Sequence, residues 1–217
     1  MEICRTRNGY EESDSGSDRK AILSCDDDRL YYLYGDITTK NCASIAFDIT
    51  GINITDDKKE KKEKDYEREP IRIYINSYGG SVYAMWMLID AIETSKTPVY
   101  TYCNGYCMSA AFQIFLSGHK RYVSKHATLM YHQISCWRYG KFQDLVDDME
   151  HTEHLNDQIE TYVTQKTKLS ADELYQIRQK KKDTYFTADE AIKNGIADEI
   201  IKTEARGKNQ KKNKKGA

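Results

Sequence analysis

Three features of this chain predict an α/β layered fold with a mostly parallel sheet. Runs of β-branched and aromatic residues alternate with apolar residues at helical spacing from residue 30 to residue 201. Glycines stand where such runs pass into helices, at Gly79-Gly80 and at Gly105, and these are places where a backbone takes positive φ. The 217 residues suffice for one domain with a sizeable core plus tails.

Residues 1–28 are polar and rich in Ser, Asp and Glu, and a flexible N-terminal segment is expected there. The folded domain is expected over residues 29–201. Leu30-Tyr31-Tyr32-Leu33-Tyr34 reads as its first strand, ended by Gly35 and Asp36. Thr38 or Thr39 then caps a helix that carries Cys42, Ile45, Ala46 and Ile49 on one face. Residues 56–69 (DDKKEKKEKDYERE) form a mixed-charge insertion without an apolar stripe, so a solvated surface loop is expected. Ile71-Arg72-Ile73-Tyr74-Ile75 is a second strand. It leads through Asn76-Ser77-Tyr78-Gly79-Gly80-Ser81 into a helix with Val82, Met85, Trp86, Ile89 and Ile92 at helical spacing.

Pro98-Val99-Tyr100-Thr101-Tyr102 is the third strand, and a turn at Gly105 delivers Ser109 to the mouth of a helix that stops at Ser117-Gly118. Short strands are expected at 121–124 and 128–131, the second followed directly by His132. Phe142, Leu145, Val146, Met149, Leu155, Ile159, Tyr162 and Val163 fall on one long amphipathic helix of core or interface type. Capping boxes at Ser170-Ala171-Asp172-Glu173 and Thr187-Ala188-Asp189-Glu190 open two short helices. Gly195 closes the second, residues 196–201 return as a strand, and the Lys-rich tail 202–217 is expected to be disordered.

Charge and composition exclude several function classes. A net charge of -1 argues against a general nucleic-acid binder, and the acids interleaved through 56–69 argue against a basic patch there. No apolar run approaches the roughly 20 residues of a membrane span. The N-terminus lacks an apolar signal-peptide core, so the expected location is cytoplasmic. Six cysteines without framework spacing favour reduced thiols.

Ser109 is the first chemical candidate. A serine between a strand and a helix presents its hydroxyl beside unpaired amides, although the G-x-S-x-G form of a nucleophile elbow is absent. The plainer reading is a cap or a packing residue. Gly79-Gly80 ahead of a helix N-terminus suits close backbone approach to negative charge, or simply a tight turn; a P-loop would need a Gly-Lys-Ser/Thr ending that is missing. Cys103, Cys107, Cys136 and His132 have the residue types of a zinc site but no second short-spaced pair, and His151 with His154 lacks an identifiable acidic partner. No metal or cofactor is therefore expected. A nucleophilic Cys107 would need a lowered thiol pKa.

From about residue 30 to residue 201 the chain resembles ClpP, the proteolytic subunit of the Clp proteases. Ile73 to Val82 is similar to that family's Y-I-N-S-P-G-G segment, Gly105 to Phe112 to its G-x-x-x-S-M motif, and Met130-Tyr131-His132-Gln133 to its M-I-H-Q-P motif. Asp183 to Ala191 resembles D-x-F-x-[ST]-A-x-E-A, and Asn194-Gly195-Ile196-Ala197-Asp198 continues as Y-G-L-I-D does. The resemblance implies the ClpP/crotonase-like layered fold, with repeated β-β-α units and a protruding helical handle. It also implies a serine endopeptidase without cofactor, acting on unfolded polypeptide through an acyl-enzyme. Ser109 takes the place of the nucleophile, His132 of the base and Asp183 of the orienting acid, with the amides of Gly80 and Ala110 as oxyanion donors. An extended substrate is expected between Gly79-Gly80-Ser81-Val82 and the 134–138 segment, with Ile134 and Ser135 in contact. The implied assembly is a homo-oligomer, as a heptameric ring or stacked rings, with an AAA+ unfoldase as possible partner and neither nucleic acid nor membrane.

Departures narrow those implications. Tyr78 and Ile134 replace prolines, Ala110 replaces methionine, and Ser135-Cys136-Trp137-Arg138-Tyr139 is expected to make a bulkier lining than the family's glycine-rich stretch. Lys181 and Lys182 stand where an acid and an arginine help pair two rings. Alternatives are a phage or mobile-element maturation protease of the same fold, a catalytically silent structural paralogue in a mixed ring, and a crotonase-type acyl-CoA enzyme. The last needs no Ser-His-Asp set.

Overall fold

The computed structural model describes residues 28–202; the segment before it and the tail after it lie outside the described residues. Seven strands pair in one sheet: β1 (Leu30–Ile37), β2 (Ile71–Gly80), β3 (Val99–Met108), β4 (Lys120–Val123), β5 (Thr128–Tyr131), β6 (Thr184–Phe186) and β7 (Glu199–Ile200). Between them run α1 (Thr39–Glu60), α2 (Val82–Glu93), α3 (Ala110–Leu116), α4 (Phe142–Lys166), α5 (Ala171–Lys180) and α6 (Ala188–Lys193). The sheet follows the order β1-β2-β3-β4-β7 with parallel neighbours throughout. This is the predicted α/β architecture with a mostly parallel sheet.

β3 is where the sheet divides. Its first half, Tyr100 to Cys103, pairs with β4, and its second half, Tyr106 to Met108, pairs with β5. Asn104 and Gly105 lie at the fork. Gly105 has φ +100, and a Cβ there would collide with the side chain of Asn76, whose amide donates to the Asn104 carbonyl at 2.6 Å. β6 then adds antiparallel to β5, a three-residue strand that the sequence pattern did not announce.

Alternation divides the two faces of the sheet. Ile71, Ile73 and Ile75 point inward with no exposed surface, packing with Leu33, Cys42, Ile45, Met85 and Leu88 in the core. Tyr32, Tyr74, Tyr102 and Tyr122 stand on neighbouring strands as a ladder of stacked rings, with centroids 5.1, 4.5 and 4.7 Å apart. Each step lies within the range of favourable aromatic pairing.

Three expectations about elements need correction. β1 does not end at Gly35 but continues to Ile37 through a register shift against β2, Gly35 taking φ +72. The last strand is only Glu199–Ile200. The largest difference lies at 56–69. α1 continues to Glu60, and Asp56 is fully buried rather than solvated. Arg29 donates to both its carboxylate oxygens at 2.6 and 3.0 Å, Tyr66 donates at 2.7 Å and Thr97 at 2.7 Å. Burial alone would raise this carboxyl, but those hydrogen bonds hold it well below the usual carboxylate range. Arg29 and Thr97 lie far from Asp56 in sequence, which is why local polarity misled. Next to them Arg68 joins Asp57 and Glu60 at 2.6 Å each.

The capping predictions agree with the geometry. Thr38, Ser170 and Thr187 each close a capping box. The long helix α4 buries Leu155, Ile159, Tyr162 and Val163, whereas Phe142 and Met149 in its first half are exposed by 82% and 71%. That half buries no residue, and it is the segment that would form the expected handle. Among the described residues no helix is long and apolar enough to cross a membrane.

Candidate active site

Strand register brings the predicted residues together. Met108 pairs with Met130 in the parallel β3–β5 ladder, so the residues just beyond, Ser109 and His132, leave the sheet at the same end. Tyr131 pairs with Thr184 in the antiparallel β5–β6 ladder, which places Asp183 across from His132. The short strand β6 is thus what delivers the acid.

Ser109 has φ 53 and ψ -128, in a region that side-chain-bearing residues rarely occupy. Its amide donates to the Met130 carbonyl at 3.0 Å, and its own carbonyl accepts from Phe112 at 2.8 Å. The hydroxyl makes no capping bond to α3. Oγ instead lies 2.8 Å from His132 Nε2. A residue that were only a cap would turn the other way.

Gly79 makes room for this turn. A Cβ on it would lie 2.6 Å from Ser109 Cβ and 2.9 Å from the Met108 carbonyl oxygen. On Gly80, at φ +151, a Cβ would strike the backbone of Ile37. Both glycines are therefore imposed by close backbone approach. The Ala110 amide opens α3, where the first N–H groups lack intrahelical partners.

The second imidazole nitrogen is held less tightly. His132 Nδ1 lies 3.6 Å from Asp183 Oδ1, beyond hydrogen-bond length, and the Asp183 side chain is half exposed. His132 itself is mostly covered. That burial lowers its pKa below the ordinary value of 6.5, opposed by the nearby Asp183 charge. The imidazole is accordingly neutral near pH 7, the form that accepts a proton.

A cleft opens at Ser109 and His132. Gly80 and Val82 line one side of it, Ile134 and Ser135 the other, with Ala110 at the helix mouth. The Ile134 amide is tied to Asn156 of α4 at 2.8 Å, which holds the loop after His132 in place. Gly79 and Ser81 lie outside this lining. The first packs behind Ser109, and the second caps α2 by accepting from the Ala84 amide at 3.3 Å. Trp137 and Tyr139 do not narrow the cleft as expected but stand exposed by 82% and 89%, stacked on each other.

A family model described as Clp protease matches residues 60–204. The chain belongs to the Clp protease family. A proteolytic subunit 4 of an ATP-dependent Clp protease from Rhodococcus jostii is 32% identical over 141 residues, covering 64% of this chain and 72% of the relative. A proteolytic subunit of an ATP-dependent Clp protease from Deinococcus radiodurans is 30% identical over 135 residues, covering 61% of this chain and 65% of the relative.

Other candidate chemistry does not converge in this member of the Clp protease family. Among the described residues no three of His, Cys, Asp and Glu are grouped as metal ligands. Cys103 and Cys107 are buried in β3 while Cys136 is exposed. Burial pushes the Cys107 thiol well up, with a contribution from Cys103, the reverse of what a nucleophilic cysteine needs. His151 faces Tyr83, Nε2 to hydroxyl 2.6 Å. Sequence reasoning missed four cleft residues, Met85, Gln113, Gln133 and Ile159. Gln113 had a signal of its own, as the one amide side chain in the otherwise apolar Ala110–Leu116 segment.

Proposed function

We propose that this protein is a serine endopeptidase that cleaves unfolded polypeptide through an acyl-enzyme. The observation that carries the proposal is the 2.8 Å contact between Ser109 Oγ and His132 Nε2, at a serine held in positive φ and denied a capping role. In this reading Oγ attacks a peptide carbonyl carbon while its proton passes to His132 Nε2. The carbonyl oxygen gains the negative charge and is held by the amides of Gly80 and Ala110, one such donor being worth about 3–4 kcal/mol. His132 then gives the proton to the departing amine, and the C–N bond breaks. Water, deprotonated by the same imidazole, releases the carboxylic acid.

Asp183 orients the ring and stabilises the imidazolium. Its 3.6 Å separation from the ring shortens to hydrogen-bond length in the transition-state complex. The same gap is what favours the second reading, a catalytically silent paralogue. The extended substrate lies between Val82 and Ile134, pairing its backbone with both edges. The names of the two relatives, proteolytic subunits of ATP-dependent Clp proteases, support a subunit role in an ATP-dependent assembly, which in this reading is an oligomeric ring served by an unfoldase. The exposed Phe142 and Met149 on the handle suit contact with another subunit.

A fluorophosphonate probe tests the reading directly. The purified protein should be labelled and Ser109→Ala should not be; absence of labelling on both would leave the silent paralogue standing.

A further inference from the structure

The amide of Gln113 has no role in the chemistry above. α3 is buried along its whole length, and six of its seven residues are apolar. The exception, Gln113, is 2% exposed, and its Oε1 is buried without a hydrogen-bond partner among the described residues. Leaving such an acceptor unpaired typically costs about 1–3 kcal/mol. An apolar side chain of similar volume would avoid that cost, as every neighbour on the helix does. The position also matters. Gln113 lies in α3 four residues after Ser109. Gln113 lines the same cleft as Ser109 and His132.

We propose that Gln113 makes this cleft select a carboxamide side chain on the substrate residue whose carbonyl Ser109 attacks. The inference rests on the peptidase reading and adds the substrate class to it. The cleft beside Ser109 is lined by the apolar Val82, Met85 and Ile159 together with the Gln113 amide. Two carboxamides are complementary in both directions. One N–H of the substrate donates to Oε1, and the substrate carbonyl accepts from Nε2. Leucine or methionine would fill the apolar part but leave Oε1 unpaired. Lysine would bring a charge into a cleft lined by no Asp or Glu. Sites built to hydrogen-bond a substrate group discriminate strongly against analogues that lack it.

The test compares peptides that differ only at the residue before the cut, carrying Gln, Asn, Leu, Met or Lys, with kcat/KM measured on the full chain. Wild type should prefer Gln over Leu by about tenfold or more. Gln113→Met and Gln113→Leu should each reverse that ratio, chiefly by slowing the Gln peptide. Both variants remove a buried unpaired oxygen, and reaction of their Ser109 with the fluorophosphonate probe reports that they have folded. Equal Gln and Leu rates in wild type, or a ratio that the variants leave in place, overturns the selectivity while Ser109 labelling keeps the peptidase reading. Failure of Ser109 to label in wild type overturns both.

Discussion

Two polar centres are built into this molecule, and they are satisfied to different degrees. Around Asp56 a fully buried carboxylate receives hydrogen bonds from Arg29, Tyr66 and Thr97, all at 3.0 Å or less. Around Ser109 the serine is held at φ 53, His132 and Asp183 stand 3.6 Å apart, and Gln113 Oε1 has no partner. A residue in such a conformation typically costs about 1–3 kcal/mol. One chain thus closes every bond where the task is to hold α1 against the sheet and leaves bonds open where a substrate would supply them. Incomplete satisfaction is not confined to the cleft, since Trp86 Nε1 is also buried without a hydrogen-bond partner among the described residues; what sets the cleft apart is that its open bonds gather beside Ser109 and His132.

The contrast can be broken from either side. The largest effect is expected in the cleft: His132→Ala should lower peptide hydrolysis by roughly 10⁶, and Asp183→Asn by less, up to about 10⁴. Partial exposure of Asp183 lets water replace some of its contribution. Single-turnover assays decide, and an Asp183→Asn loss as large as that of His132→Ala would show the acid to be fully engaged. Neither change should move the unfolding midpoint much. Asp56→Asn should do the opposite, costing about 3–5 kcal/mol because it breaks the ion pair with the largely buried Arg29. Urea titration at pH 7 checks this. Since the Asp56 carboxyl is held below its unfolded value, the stability it provides is present above about pH 4 and lost as pH falls further. The variant should be less sensitive to acid over that range.

The smallest effect concerns pH and activity. His132 must be neutral to accept the serine proton, and burial lowers its pKa. Activity is expected to persist below about pH 6.5 and to fall only as pH drops through the lowered value. Asp183→Asn removes the charge that opposes the lowering, so the acid limb should move further down. An acid limb above pH 6.5 would mean that the free enzyme holds a protonated, strongly paired imidazole.

Much of this organisation was legible from residue order. Strand–helix alternation announced the sheet, and the capping boxes at Ser170 and Thr187 located helix starts correctly. The turn at Ser109 was visible too, but local residues favoured a cap, and only the resemblance of His132 and Asp183 to distant motifs suggested partners. β6 was not legible. Three residues cannot display an alternation, and Thr184 to Phe186 form a strand only because Tyr131 offers an edge. Asp56 misled for a related reason: a charged stretch reads as solvated until Arg29 and Thr97 are known to converge on it. The loose Asp183 contact, a matter of tenths of an ångström, lies below what any residue pattern encodes.

The tyrosine ladder gives the sheet its own optical signal. Stacked phenol rings on β1 through β4 couple electronically, so their near-ultraviolet circular dichroism depends on the strands staying in register. The chain has only two tryptophans, and neither belongs to the ladder: Trp86 packs edge-on against Tyr162 between α2 and α4, and Trp137 is exposed near the cleft loop. Tryptophan fluorescence reports on sites outside the ladder, whereas near-ultraviolet dichroism includes the ladder among its contributors. Comparing their melting curves would tell whether the sheet and the helical layer come apart together or in sequence.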